Sequence, residues 1–254
     1  MAARRPTIVG VSACLATLRV RPEAIRRAWV TEAARPAVRE LLRELGHRRR
    51  PYRVTTDAEI KKVSGVTHHE GVCVEAPPPP APSGGELLQK LEGERGPARL
   101  IYLDGVQNPH NLGAMLRTCA HFGARAVIGA AGELPRLGPA VMRVAEGGAE
   151  HVPVVEVRDP IEFLAELRRA GISVVATAAD ADDGLYASEL EARAVFVLGA
   201  EREGVSAAIR RCADALVSIP GSGAVDSLNV GTACAVLLAE HTRRHGGRSI
   251  RNPP

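Results

Sequence analysis

The stretch LIYLDGVQNPHNLGAMLR, residues 100–117, decides the class of this chain. It opens with the apolar run Leu100–Leu103, breaks at Asp104-Gly105, turns polar, and resumes as an apolar helix pattern from Asn111 to Phe122 that ends at Gly123. A short apolar strand feeding a helix is one half of a βαβ unit. The pattern continues downstream. Strands are expected at 126–129, 152–157, 172–177, 194–198 and 215–219, and helices at 139–144, 160–170 and 206–212, with a closing helix from Ser227 to Arg243. Apolar strands alternating with helices predict an α/β fold whose parallel sheet is covered on both faces.

Upstream the pattern is a smaller α/β mixture. Ala28–Thr31, Tyr52–Val54 and Gly71–Glu75 read as strands. Pro36 to Leu45 reads as a helix started by proline and capped by Gly46, and Asp57 to Val63 as one capped by Thr56 or Asp57. Between the two parts lies APPPPAPSGG, residues 76–85, a stiff spacer. A short helix over 86–92 and a second break at Gly96-Pro97 follow it. The expected organisation is a first domain over 1–76, a Pro/Gly-rich linker over 77–97, a main domain over 98–246 and a flexible tail over 247–254.

Charge is divided unevenly between these parts. The chain carries a net charge of +4, yet residues 1–76 hold 15 Lys/Arg against 8 Asp/Glu, and the remainder 18 against 21. Of the 33 basic residues 30 are arginine, the side chain suited to bidentate phosphate contacts. The run Arg48-Arg49-Arg50 is the candidate polyanion contact of the first domain. Aromatic residues make up 3% of the chain, so phosphate or shape recognition is expected ahead of base stacking.

Several classes find no support. There is no GxxxxGK[ST] loop, no GxGxxG after a strand and no GxSxG elbow. The five cysteines form no CxxC and the eight histidines no HExxH, so neither a metal site nor a disulfide framework is expected. No run of about 18 apolar residues suggests a membrane span. A cytoplasmic chain with cysteines as small core residues is the expectation.

Three polar clusters remain, each at the carboxyl end of an expected strand, where open α/β sheets bind ligands. The first holds Asn111, Gly113 and Arg117. The second is LGAEREG, residues 198–204. The third is IPGSGAVDSLNV, residues 219–230. Each residue has a plain structural role open to it as well. Asn111 suits a helix cap, Ser227 and Asn229 suit the start of the last helix, and Glu201 suits a helix dipole. Arg117, set among Leu112, Met115, Leu116 and Cys119, suits an ion pair.

Taken in order, the clusters resemble the three motifs of the SpoU (TrmH-like) RNA 2′-O-ribose methyltransferase family of the SPOUT superfamily. Asn111-x-Gly113 with Arg117 fits the first motif. Leu198-Gly199-x-Glu201-x-x-Gly204 fits the second, and Ile219-Pro220 with Ser227-Leu-Asn-Val230 the third. The resemblance covers about residues 98–245. A ribosomal-protein-like substrate-binding domain often precedes the catalytic domain in this family and ends in His-Gln-Gly before a strand. Here the segment is His69-Glu70-Gly71, with glutamate where glutamine is usual.

The resemblance implies a parallel sheet with a deep trefoil knot, a homodimer, and methyl transfer from S-adenosylmethionine to RNA. Ribosomal RNA of the 23S type is expected ahead of transfer RNA, and a non-enzymatic ribosome-assembly factor is the rival of another class. It places catalysis on Arg117, Asn111, Glu201, Ser227 and Asn229, and the cofactor on Thr177, Leu198, Gly199, Ile219 and Leu228. RNA falls to Arg48, Arg49, Arg50 and Arg117. A guanidinium keeps its proton far above neutral pH, which favours charge stabilisation by Arg117, although the family also allows it a proton-accepting role.

Overall fold

A computed structural model describes residues 7–246; the tail at 247–254 lies outside the described residues. The elements in chain order are β1 (Thr7–Val9), α1 (Val11–Val20), β2 (Arg27–Thr31), α2 (Arg39–His47), β3 (Tyr52–Thr55), α3 (Asp57–Ser64), β4 (Val72–Glu75), α4 (Gly84–Gly93), β5 (Ala98–Asp104), α5 (Pro109–His121), β6 (Val127–Ala130), α6 (Pro139–Ala145), β7 (Val154–Val157), α7 (Pro160–Arg169), β8 (Ser173–Thr177), β9 (Arg193–Gly199), α8 (Ala207–Cys212), β10 (Ala215–Val217) and α9 (Val230–His245).

The chain divides into two compact units. The first comprises the described residues to Pro80 with Asn108–Arg117 and Pro135–His151; the second comprises Ala81–Gln107, Thr118–Leu134 and the described residues from Val152.

The second unit holds the expected parallel sheet, six strands in the order β10-β8-β9-β5-β6-β7, every pair parallel. Leu100, Ile101, Tyr102 and Leu103 of β5 are all buried, as a strand covered on both faces must be. Leu100, Tyr102, Val174, Val195 and Val197 face a core shared with Leu87 and Leu91 of α4, Phe163 and Leu167 of α7 and Ile209 of α8. On the opposite face the Phe196 ring meets the edge of His241 of α9 at 5.4 Å between centroids.

His241 is fully buried between Arg99 Nε, 3.1 Å from its Nδ1, and the Glu191 carbonyl, 3.0 Å from its Nε2. Burial, reinforced by the nearby Arg99, His245 and Arg244, pushes its pKa down from 6.5 to about 4.

The first unit builds a four-stranded mixed sheet, β1-β4-β2-β3, in which β4 pairs antiparallel with β1 and β2 while β2 and β3 are parallel. Its α1 starts with Val11 N–H donating to Glu70 Oε2 at 2.9 Å. A carboxylate suits the positive end of a helix, which gives the unusual Glu70 a physical role. On the far side of α1 the Glu150 carboxylate is wholly buried. It accepts from Thr17 Oγ1 at 2.7 Å and from Arg21 Nε and Nη2 at 2.6 and 2.9 Å.

Four helix boundaries differ from expectation. The helix expected over 86–92 spans Gly84–Gly93, because Ser83 caps it by accepting from Glu86 N–H. The second helix spans Arg39–His47 in place of 36–45: residues 32–38 form turns, Gly46 lies inside the helix, and Arg48 caps it. Asn111 is not a cap, because α5 begins at Pro109 and the Asn108 side chain accepts from His110 N–H at 2.9 Å. Ser227 is not a cap either. Asn229 takes that place, accepting from Gly231 N–H at 2.9 Å. Thr56 caps α3 and Gly123 follows α5 in a left-handed conformation, as expected.

Two outcomes are expected. Removing one partner of a buried ion pair strands the other, so Glu150→Ala should lower the unfolding free energy by about 3–5 kcal/mol. Glu40→Ala, at an exposed pair with Arg19, should cost under about 1 kcal/mol; urea denaturation of both variants measures the contrast. For His241 the folded state refuses a proton that the unfolded state accepts below pH 6.5. Stability should therefore fall as pH drops from 6.5 towards about 4. His241→Gln should flatten that slope in denaturation series at stepped pH.

Candidate active site

In a parallel sheet the carboxyl ends of the strands share one edge. Here β8 ends at Thr177, β9 at Gly199, β5 at Asp104 and β10 at Val217. The loops leaving β8, β9 and β10 surround a cavity of about 630 Å³.

The loop after β9 folds back on itself. Ala200 bridges Gly204, whose N–H donates to the Ala200 carbonyl at 2.8 Å. Any side chain at Gly199 would overlap the Gly204 carbonyl group. The second motif thus places two glycines where backbone touches backbone, and the turn presents Glu201. Asn229 reaches Glu201 from the start of α9, donating from Nδ2 to Oε1 at 2.9 Å, while its own Oδ1 caps the helix. The capping and the functional placement of Asn229 therefore coexist in one side chain.

Asp104, at the end of β5, accepts from Ser206 N–H at 2.7 Å, which seats the far end of the same loop. Thr177 donates its hydroxyl to the Val197 carbonyl at 3.0 Å, tying the ends of β8 and β9 together.

Thr177, Leu198, Gly199, Glu201, Ile219, Ser227 and Leu228 all line the cavity. Leu228 is 43% and Val225 72% exposed, so apolar surface stands open beside the cavity. Two charged lining residues escaped the sequence: Asp180 and Arg210, which form an ion pair with Arg210 Nη2 2.9 and 3.0 Å from the two carboxylate oxygens. That contact holds the Asp180 carboxyl below its ordinary range. Asp180 lies in a loop and Arg210 on a short helix, with 30 residues between them, so no local pattern marks the pair.

Asn111 and Arg117 belong to the first unit. There Gly113 of α5 meets α6 so closely that a Cβ would stand 2.7 Å from Val144 Cβ and 2.9 Å from the Val141 carbonyl. The motif glycine is thus a packing requirement. Arg117 is 61% exposed and its Nη1 donates to Glu146 Oε1 at 2.8 Å, so the ion pair open to it in the sequence is present. Arg48, Arg49 and Arg50 follow α2 and are exposed; Arg48 Nε donates to Glu44 at 2.6 Å.

Among the described residues, no three His, Cys, Asp or Glu side chains gather as a metal site. Nor is any described helix long and apolar enough to cross a membrane.

Residues 98–239 match the family model described as the SpoU rRNA methylase family, and residues 7–82 match RNA 2′-O ribose methyltransferase substrate binding. The chain belongs to the SpoU rRNA methylase family. A Pseudomonas syringae protein named 23S rRNA (guanosine-2′-O-)-methyltransferase RlmB is 36% identical over 97% of this chain and 98% of its own. An Escherichia coli O157:H7 protein named uncharacterized tRNA/rRNA methyltransferase YfiF is 38% identical over 96% of this chain and 69% of its own. Among solved structures, an RNA 2′-O ribose methyltransferase superposes with TM-score 0.78 at 28% identity, covering 95% of this chain and 89% of that one. The SpoU methyltransferase AviRb of Streptomyces viridochromogenes, in complex with AdoMet, gives TM-score 0.75 at 25% identity, covering 95% and 91%.

The residues on the SpoU edge of this chain suit S-adenosylmethionine. The cavity has the volume of a small-molecule site. Backbone at Gly221 is open to a ligand, Leu228 and Val225 offer apolar surface to a base, and Glu201 and Asp226 offer negative charge to a cationic donor.

Forcing a methyl group into the Gly199–Gly204 contact should cost about 1–3 kcal/mol, the range for overpacking. Gly221 also lines the cavity, but a Cβ placed there would have nothing within 4 Å. Denaturant melts should therefore separate Gly199→Ala, destabilised, from Gly221→Ala, close to wild type. Limited proteolysis should find cleavage near residues 199–205 only in the first.

Proposed function

We propose that the chain transfers the methyl group of S-adenosylmethionine to a ribose 2′-hydroxyl of ribosomal RNA of the 23S type. The observation that carries this is the convergence of the second and third motifs on one cavity, with Glu201 and Asn229 joined at 2.9 Å, in a chain of the SpoU family. The 23S rRNA relative aligned over nearly its full length supports the substrate. Transfer RNA is the second substrate class, supported by the relative whose name covers both RNAs.

When bound, the cofactor supplies an activated methyl on a sulfonium that leaves as a neutral thioether. The work of this chain's residues is holding and charge. Leu198, Gly199, Ile219, Leu228 and Thr177 hold the donor by backbone and packing contacts. Ser227 and Glu201 set the polar side of the cavity and orient the hydroxyl, with Asn229 bonded to Glu201, and Asn111, six residues before Arg117 on α5, joins them in catalysis. Arg117 binds RNA phosphate and stabilises the oxygen as it becomes anionic. A guanidinium holds its proton in proteins, so charge stabilisation is its role, and the proton that the hydroxyl gives up as its oxygen takes the methyl group passes to solvent water.

The domain over 1–76 recognises RNA as a ribosomal-protein-like module, the domain over 98–246 carries the reaction, and residues 77–97 link them. The sheet order and the return of α9 against β5 and β9 support a trefoil knot. The protein acts as a homodimer in the cytoplasm.

Labelled methyl transfer to ribosomal RNA tests the activity, and a chain that binds RNA but transfers no methyl would instead be an assembly factor. Arg117→Ala should lower the rate by about 10²–10³ with cofactor affinity nearly unchanged, as for loss of a preorganised charged donor. Arg117→Lys should rescue only in part, because an ammonium lacks the planar fork. Replacing Arg48, Arg49 and Arg50 with alanine should weaken RNA binding. It should also reduce the log–log salt slope by roughly 0.7–0.9 for each phosphate the run no longer neutralises. Titration of binding between low and high salt measures that slope.

A further inference from the structure

We propose that Glu146 is the positioning residue of Arg117, mounted on a rigid loop built for that purpose; this rests on the methyltransferase reading above. Three features of the loop carry the inference.

The first is conformation. Glu146 follows α6 with φ 44° and ψ 43°, a left-handed backbone that glutamate seldom adopts. A helix end of this shape is ordinarily given to glycine or asparagine. Non-glycine residues persist there where the surroundings fix them, and such positions cluster at functional sites. Gly147 and Gly148 stand next in the chain, yet the strained position itself holds the carboxylate.

The second is mounting. Gly148 lies against α5: a Cβ there would meet the Leu116 carbonyl oxygen at 2.6 Å and Arg117 Cα at 2.9 Å. Gly147, at φ 91°, lies against α1, where a Cβ would stand 2.5 Å from Ala16 Cβ. Glu150 then anchors the end of the loop through its buried bonds to Arg21 and Thr17. The loop is pinned against α5 and α1 directly after Glu146, with backbone pressed against the residue whose side chain it holds.

The third is geometry at the guanidinium. Glu146 Oε1 takes Nη1 of Arg117 at 2.8 Å. Arg117 is 61% exposed, and an arginine on an open surface has many rotamers to lose. The carboxylate, half-exposed itself but carried on a pinned backbone, restricts the fork before RNA arrives and leaves its other donors for phosphate or the developing oxyanion. A surface ion pair of this exposure adds little stability, so its value lies in orientation. This role predicts a change in turnover ahead of a change in binding.

The test uses the full chain, S-adenosylmethionine and ribosomal RNA transcribed in vitro. Glu146→Gln should lower kcat roughly tenfold, in line with the sensitivity of rates to small misplacements, with KM for RNA within about twofold and cofactor affinity unchanged. Glu146→Asp, which keeps the charge, should recover part of the loss. Glu146→Gly relieves the left-handed strain, so its melting temperature should equal or exceed wild type while kcat falls as in Glu146→Gln. Activity and stability then move apart, which a merely structural role does not allow. In the double variant with Arg117→Ala, Glu146→Gln should add no further loss. Wild-type kcat in Glu146→Gln, tighter RNA binding in that variant, or an additive loss in the double variant each overturns the proposal. If the wild-type chain itself transfers no methyl, the methyltransferase reading fails and the positioning role falls with it; that result is distinct from an active wild type whose Glu146 variants match it.

Discussion

In a fully parallel sheet every strand must be re-entered from the same end, so every loop that follows a strand opens on one edge. That constraint governs the second unit. Strands β8, β9 and β10 deliver Thr177, Gly199 and Val217 to the same edge, and residues distant in sequence share the cavity there. The sheet needs buried apolar faces on both sides to hold this arrangement, which Leu100 to Leu103 supply from one strand. With the edge fixed, the chemistry depends only on what each loop carries.

What the loops carry is governed by close approach. Gly199 and Gly113 are motif residues, and in each the missing Cβ admits another segment of backbone or a neighbouring helix. A motif read as a ligand signature is here also a set of places where the chain touches itself. Asn229 shows the same economy in a polar side chain, with its oxygen on a helix N–H and its amide on Glu201.

The parallel sheet, its alternating helices and the motif residues that line the cavity were legible in the sequence because burial on two faces and motif order leave local marks. Helix starts were legible where one side chain decides them, as at Thr56. They were misread where a neighbour competes: Asn108 stands three residues ahead of Asn111, and Asn229 two residues after Ser227. Proline at 36 looked like a helix start, but residues 32–38 turn before the chain commits to α2. The partners Glu146 of Arg117 and Asp180 of Arg210 left no mark, since their spacing is set by tertiary packing. The grouping of residues 135–151 with the first unit was equally silent, because the alternation of strand and helix runs through it unbroken.

The buried Glu150 carboxylate has a practical consequence for dissecting this molecule. Chain order suggests cutting near residue 98, yet its partners Thr17 and Arg21 lie more than a hundred residues upstream. A fragment beginning there would keep a carboxylate whose solvation had been replaced by groups now missing, and would uncover the flank of Gly147 that rests on Ala16. Such a fragment is an incomplete folded body, and its behaviour would report the wound as much as the enzyme. The gene can be cut at the proline run; the physical unit cannot.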